Sequence, residues 1–236
     1  MNNPKVMLTD LHCHILPEID DGAENAEISR KMLRLASDQG IRRIMFTPHF
    51  YPEMMAVEEF LEKRDAAFGS IKGFCKAENI TAKLGAEIRI TKDITDLALR
   101  ALSYEGGTYA LIELPMFCYP LWIEEIIARM NDIGIRPVLA HIERYDYLMS
   151  DLDQINTLKD LGAVVQVNAS SILRRRTHRK IKEMVKAEYI DIICSDAHDI
   201  DERSVLLADS LSVLDKADRL RLIRNAELIF NGTAIN

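Results

Sequence analysis

Residues 6–22 read VMLTDLHCHILPEIDDG: a short run, Val6–Leu11, stops where a histidine–x–histidine pair begins. The same layout recurs down the chain. Arg43–Thr47 leads into TPHF, Thr81–Gly85 into GAEI, Tyr109–Leu114 carries IELP, Pro137–Ala140 leads into AHIER, and Asp191–Cys194 into SDAHD. With Ala163–Val167 these make seven predicted strands. Runs such as VVQV and IDIIC are nearly continuous in Val and Ile, as parallel strands buried on both faces are.

Helical patterns fill the gaps. Ala26–Gln39 places Ile28, Met32 and Leu35 on one face, with Gly40 as its stop; Ile123–Asp132 places Ile123, Ile126, Ile127 and Met130, with Gly134 as its stop. Val57–Lys76, Ile94–Leu102, Leu152–Leu161, Lys180–Lys186 and Ser204–Lys216 also read as helices. No internal repeat, low-complexity stretch or flexible linker divides the chain, so residues 1–236 are expected to form a single domain. Strands alternating with helices predict an α/β protein, either a closed or nearly closed barrel or a doubly wound open sheet. The pattern alone does not choose between them.

Acids number 37 and Lys plus Arg 30, a formal net charge of -7, which argues against nucleic-acid binding as the main task. Charged residues at 28% and hydrophobic ones at 48% exclude wholesale disorder. No apolar run approaches the ~18 residues that span a bilayer, and residues 1–11 lack the apolar stretch of a secretory signal. Cys13, Cys75, Cys118 and Cys194 are scattered without a CxxC, so a reducing cytoplasm is expected rather than a disulfide framework.

Five of the six histidines fall just past a predicted strand: His12, His14, His49, His141 and His198. Asp21, Glu87, Glu113 and Asp196 occupy similar positions. A lone strand-end carboxylate is commonly a helix cap or surface group, but in a barrel the C-terminal strand ends converge on one face. Alternation turns His12 and His14 the same way, and Asp196 with His198, leaving Cys13 pointing elsewhere. Buried titratable groups in such number need a cation to pair them. Imidazole and carboxylate without thiolate suit Zn, Mn, Fe or Ni, and nine donors suit two or three ions better than one.

Together, DLHCHILPEIDDGAE, TPHF, GAEI, ALIELP, PVLAHIERYDYL, VQVNASS and SDAHD resemble the PHP (polymerase and histidinol phosphatase) superfamily. More narrowly they resemble its bacterial protein-tyrosine phosphatase branch, linked to capsule and exopolysaccharide synthesis, from about residue 8 to residue 230. The resemblance implies a distorted (β/α)7 TIM-like barrel with a trinuclear centre, manganese in the main, with Fe, Zn, Co or Mg as alternatives at some positions. By motif, the metal ligands would be His12, His14, Asp21, His49, Glu87, Glu113, His141, Asp196 and His198; Asp21 rather than Asp20 takes the family position before Gly22. Glu113 matches the tyrosine-phosphatase branch, where other members carry histidine.

The implied enzyme is a hydrolase of phosphotyrosine on a protein, with an autophosphorylated bacterial tyrosine kinase as partner and no membrane insertion; homo-oligomerisation stays open. A metal-bound hydroxide is expected to attack phosphorus directly. A Cys-x5-Arg loop is absent, since Ile19, Thr81, Glu124 and Ile200 stand six residues after the four cysteines. Arg144 and Arg203, both matched in the phosphatase branch, are the candidate catalytic residues that grip phosphate. Phe50, Tyr51, Phe117, Tyr119, Trp122, Tyr145 and Tyr147 either line a slot for the phosphotyrosine ring or anchor loops. The run Arg174, Arg175, Arg176, Arg179 and Lys180 either steers an acidic or multiply phosphorylated tail or forms a solvated helix face. Competing readings are a small-molecule phosphatase of the histidinol-phosphatase type, an amidohydrolase-like enzyme, and a non-catalytic metal-binding partner of the kinase.

Overall fold

Every strand pairing in the computed structural model, which describes residues 7–235, is parallel. The strands are β1 (Leu8–Asp10), β2 (Ile41–Phe46), β3 (His49–Phe50), β4 (Thr81–Leu84), β5 (Glu87–Arg89), β6 (Tyr109–Glu113), β7 (Arg136–Leu139), β8 (Val164–Asn168) and β9 (Ile192–Cys194). The helices are α1 (Ala26–Asp38), α2 (Val57–Ala77), α3 (Asp96–Leu102), α4 (Ile123–Asp132), α5 (Asp146–Ser150), α6 (Leu152–Asp160), α7 (Ala169–Leu173), α8 (His178–Lys186), α9 (Leu207–Ser212) and α10 (Lys216–Phe230). The order β1-β2-β4 forms one sheet and β3-β5-β6-β7-β8-β9 a second. The result is a mixed α/β fold with a curled parallel sheet. It curls far enough that the two chain ends of the strand series meet: Cys13 and Ala197 form a parallel bridge, with the His14 amide donating to Ala197 O (2.8 Å) and the Asp196 amide to His12 O (2.9 Å).

Seven expected strands appear as nine because two are interrupted. Pro48 brings no N–H and ends the β2 ladder; β3 resumes beyond it, and the Glu87 amide donates to Pro48 O (3.0 Å). Between β4 and β5 stands Gly85, where a Cβ would lie 2.8 Å from the Tyr104 ring. Only glycine lets the chain pass that ring, whose hydroxyl donates to Leu11 O (2.7 Å). The expected strand start at Val6 lies outside the described residues. The helix expected over Ser204–Lys216 is instead two: α9 ends at Ser212, and Asp215 accepts from the Asp218 amide (3.0 Å) to start α10, which the sequence reading passed over. Short α5 and α7 were also unexpected.

Strand alternation sorts the core into two layers. Ala110, Ile112, Leu139, Val165, Val167 and Ile193 face the helices. Tyr109, Leu111, Val138, Ala140, Val164, Ile192 and Cys194 fill the inside of the curl together with Ala226, Ile229 and Phe230 of α10. The inward parity runs on beyond the packed layer: Leu111 to Glu113, Val164 to Gln166 and Asn168, Cys194 to Asp196. Apolar filling therefore gives way to polar groups where the strands end. Among the described residues no helix is long and apolar enough to cross a membrane.

Candidate metal centre

Glu87, fully buried at the start of β5, is the hub. Its Oε2 lies 3.1 Å from His12 Nε2, 3.2 Å from His14 Nε2 and 3.0 Å from His49 Nδ1, and its Oε1 lies 2.8 Å from His141 Nε2. Asp196 Oδ1 approaches His12 Nε2 and His14 Nε2 at 3.3 and 3.4 Å. Asp21 Oδ1 lies 3.4 Å from His49 Nε2 and 3.3 Å from His198 Nε2. Glu113 Oε1 is 3.9 Å from His141 Nε2. All nine residues singled out as metal ligands are thus brought together.

Donor atoms of eight of the nine fall into three overlapping groups, each spanning no more than 4.8 Å: His14, Asp21, His49 and His198; His12, His14, Glu87 and Asp196; and His49, Glu87 and Glu113; His141 joins them only through Glu87 Oε1. The hydrogen bonds behind the imidazoles show whether this set suits cations. His12 Nδ1 lies 3.2 Å from Gln166 Oε1, His14 Nδ1 2.6 Å from Asp20 Oδ2, and His198 Nδ1 2.9 Å from its neighbour carbonyl Asp196 O. Those oxygens only accept, so each imidazole keeps its proton on Nδ1 and turns an Nε2 lone pair inward, the arrangement that holds metal-ligating histidines. Buried Glu87 Oε2, Glu113 Oε2 and His198 Nε2 find no hydrogen-bond partner among the described residues, a costly state that a cation relieves. The set fits.

Among the side chains alone, imidazoles and carboxylates pair with one another: burial lowers the His12 and His14 imidazoles, but Glu87, Asp20 and Asp196 prevail and raise both. Burial pushes the Glu87 carboxyl up, but the His12, His14 and His141 imidazoles prevail and hold it well below the usual carboxylate range. Burial likewise opposes Asp196, and His12 and His14 hold it below its ordinary value. The nearby His198 imidazole, with those of His49 and His14, does the same for Asp21.

Local backbone explains how the sequence reaches this geometry. At Gly22 a Cβ would lie 2.0 Å from His14 O, so only glycine lets the DDG turn close against the HxH segment. Alternation from Leu139 would send His141 outward with the helix-facing layer. His141 instead adopts a left-handed backbone (φ 33°), which reaches Glu87. Asp196 is also left-handed (φ 50°). Such backbone is strained away from glycine and is held by its surroundings.

A family model described as capsular polysaccharide synthesis, CpsB/CapC, matches residues 8–229. The chain belongs to the CpsB/CapC family. Tyrosine-protein phosphatase YwqE of Bacillus subtilis (strain 168) is 34% identical over 239 residues, covering 97% of this chain and 93% of that protein. Tyrosine-protein phosphatase CpsB of Streptococcus agalactiae serotype V is 26% identical, covering 94% and 98%. A solved chain described among crystal structures of YwqE from Bacillus subtilis and CpsB from Streptococcus pneumoniae, "unique metal-dependent tyrosine phosphatases", superposes with a TM-score of 0.87 at 30% identity, covering 97% of this chain and 96% of that one.

Two recesses flank the donor cluster of this CpsB/CapC chain. One, of about 250 Å³, is cationic: Arg144, Arg174 and Arg203 line it with Asn168, Ser195 and Asp196. Arg203 spans the cluster rim, 3.1 Å from Asp21 Oδ2 and 3.6 Å from Asp196 Oδ2. The other, of about 410 Å³, is mostly apolar, with Phe50, Tyr51, Met54 and Met55 beside Asp21 and His49. Tyr51 stacks on His49 at 5.1 Å, and the Arg89 guanidinium lies over the Tyr51 ring, 4.3 Å from its centre. Burial pushes the Tyr51 hydroxyl up to about 12. The remaining aromatics mostly anchor loops. The Tyr145 hydroxyl accepts from the Leu114 amide (2.9 Å), Tyr147 donates to Pro115 O (2.7 Å), Tyr119 donates to Glu124 (3.0 Å), and Phe117 is 97% exposed.

Four contributors escaped the sequence reading. Asp20 holds His14 and accepts from the His49 amide (2.9 Å). Gln166 Oε1 accepts from the His141 amide (2.6 Å), and its Nε2 donates to Asn168 (2.9 Å), which donates to Asp196 Oδ2 (2.6 Å). Polar residues at i and i+2 in the buried strand VVQVN were the available signal. Arg174, read only as part of a basic run, lines the cationic recess.

Cys13 is fully buried, donates toward Met45 O (3.6 Å), and burial raises its thiol well above the usual range. Cys13→Ser is expected to keep most phosphatase activity and full metal content. A loss of several orders of magnitude with metal retained would point to a thiolate nucleophile instead.

Proposed function

We propose that this chain is a metal-dependent protein-tyrosine phosphatase that hydrolyses phosphotyrosine, acting in the cytoplasm on an autophosphorylated bacterial tyrosine kinase of capsule or exopolysaccharide synthesis. The observation that carries the reading is the convergence of nine imidazole and carboxylate side chains between a cationic and an apolar recess. We read the curled sheet as a distorted (β/α)7 barrel with this site at its C-terminal strand ends. His12, His14, Asp21, His49, Glu87, Glu113, His141, Asp196 and His198 would hold three ions, manganese first. Bound there, divalent ions supply Lewis-acid stabilisation of phosphoryl oxygens and acidify water near neutral pH.

The protein's own residues do the rest. Arg144 and Arg203 face the phosphoryl group, and planar guanidinium forks match its oxygens bidentately. Arg203 reaches that position from the rim shared by Asp21 and Asp196. The apolar recess receives the tyrosine ring between Tyr51 and the methionines and excludes water from one side of the scissile bond. The departing phenolate has a conjugate-acid pKa of about 10, so leaving-group protonation demands less here than it would for an alkoxide. Asp20, Gln166 and Asn168 act as positioning residues, fixing His14, His12 and Asp196.

The test compares a phosphotyrosine peptide with histidinol phosphate, both with manganese, in wild type and Arg144→Ala. The peptide should turn over faster, and Arg144→Ala should raise its KM while metal stoichiometry stays unchanged. Faster hydrolysis of histidinol phosphate would favour the small-molecule reading. Metal binding with no hydrolysis of either substrate would favour a non-catalytic partner of the kinase.

A further inference from the structure

Residues 174–186, RRRTHRKIKEMVK, hold seven Lys and Arg and one acid in a chain whose net charge is -7. Among the described residues only one of those seven makes an ion pair, Arg179 with Glu183 at 2.9 Å. The placement does not favour α8 itself. Its first turn carries Arg179 and Lys180 and no acid, and Thr177 gives it no side-chain cap. Cations there face the positive end of the helix dipole, which prefers anions. A face selected only for solubility or helix stability would carry acids in that turn.

The run also joins two recesses. Arg174 lines the cationic recess beside the donor cluster. Arg176, Arg179 and Lys180 line a groove of about 520 Å³ together with Leu152, Met184 and Tyr189; Glu183, paired with Arg179, is the one acid in its lining. Arg174 and Arg176 are two residues apart, roughly 7 Å of chain at most. One short segment therefore borders both recesses.

We infer that this groove docks an acidic segment of the phosphoprotein substrate, next to the phosphotyrosine held at the metal centre. The inference rests on the phosphatase reading given above. The groove's cations Arg176, Arg179 and Lys180 are exposed, and they do not share one partner: Arg179 pairs with Glu183 and Lys180 donates to Met149 O. That suits several carboxylates spaced along a chain better than a single phosphoryl dianion, which calls for convergent, bidentate donors. The apolar part of the lining takes the aliphatic parts of the same segment.

The test uses the full chain loaded with manganese and four substrates: para-nitrophenyl phosphate, a phosphotyrosine peptide with neutral flanks, the same peptide with Asp and Glu flanking residues, and a neutral-flank peptide with two phosphotyrosines. For wild type at low salt, kcat/KM for the acidic peptide should exceed that for the neutral one by about tenfold or more, the gain narrowing as salt rises. Arg176→Gln/Arg179→Gln/Lys180→Gln should erase that gain, through KM, and leave para-nitrophenyl phosphate and the neutral peptide unchanged. Equal wild-type kcat/KM for acidic and neutral peptides would overturn the inference without any variant. So would a gain that survives the triple substitution, or one seen only with the doubly phosphorylated peptide. A wild type that hydrolyses none of the four would instead sink the phosphatase reading, and the docking inference with it.

Discussion

Glu87→Gln should lower phosphotyrosine-peptide turnover by on the order of 10³-fold or more, because it removes several kcal/mol of charge organisation at the reacting centre. The substitution keeps size and shape but takes away the negative charge that four imidazoles share, those of His12, His14, His49 and His141. It also replaces one acceptor with an amide donor that would point at a lone pair. Metal content should fall with activity. Far-ultraviolet circular dichroism should not change, since the backbone pairing of Glu87 is kept and its side chain contacts other elements only through these donors. A variant with wild-type kcat and full metal content would remove Glu87 from the site.

Chelation is the second large effect. EDTA should abolish hydrolysis, and manganese should restore it best among divalent ions. It should also destabilise the fold. Ions that bind the native state at 1,000 times their Kd add about 4 kcal/mol, so their removal should lower Tm by roughly 10 °C in a chain of this size. The structural basis is the set of buried Glu87, Glu113 and His198 atoms that find no hydrogen-bond partner among the described residues. Unaltered rates and Tm after exhaustive chelation would contradict the metal mechanism.

The donor residues were legible in the sequence because their chemistry and their position coincide. Histidines are few in this chain, and five of the six follow a β-like run; the carboxylates repeat the pattern. The positioning residues were not legible. Asp20, Gln166 and Asn168 matter through partners 25 or more residues away, save Asp20 with His14 and Gln166 with Asn168, and a single strand segment does not announce which side chain will face it. His141 shows a different limit. Its place in the cluster depends on a left-handed backbone, whereas period-2 alternation points it outward. The two interrupted strands follow from local features, Pro48 and Gly85, whose effect needed the neighbouring Tyr104 to be known. Helix α10 was missed because Arg219, Arg221 and Arg224 dilute a face that buries only Leu222, Ala226, Ile229 and Phe230. Alternating strands and helices fix a parallel α/β sheet but not its curvature, which rests on the meeting of Cys13 with Ala197.

The most direct measurement is anomalous diffraction at the manganese edge from crystals grown with that ion, paired with metal analysis of the same protein. The expected result is about three ions per chain, each within ligand distance of one of the three donor groups, with the signal reduced in a His12→Ala/His14→Ala variant. A protein that hydrolyses phosphotyrosine peptide while these imidazoles and carboxylates hold no ion would contradict it.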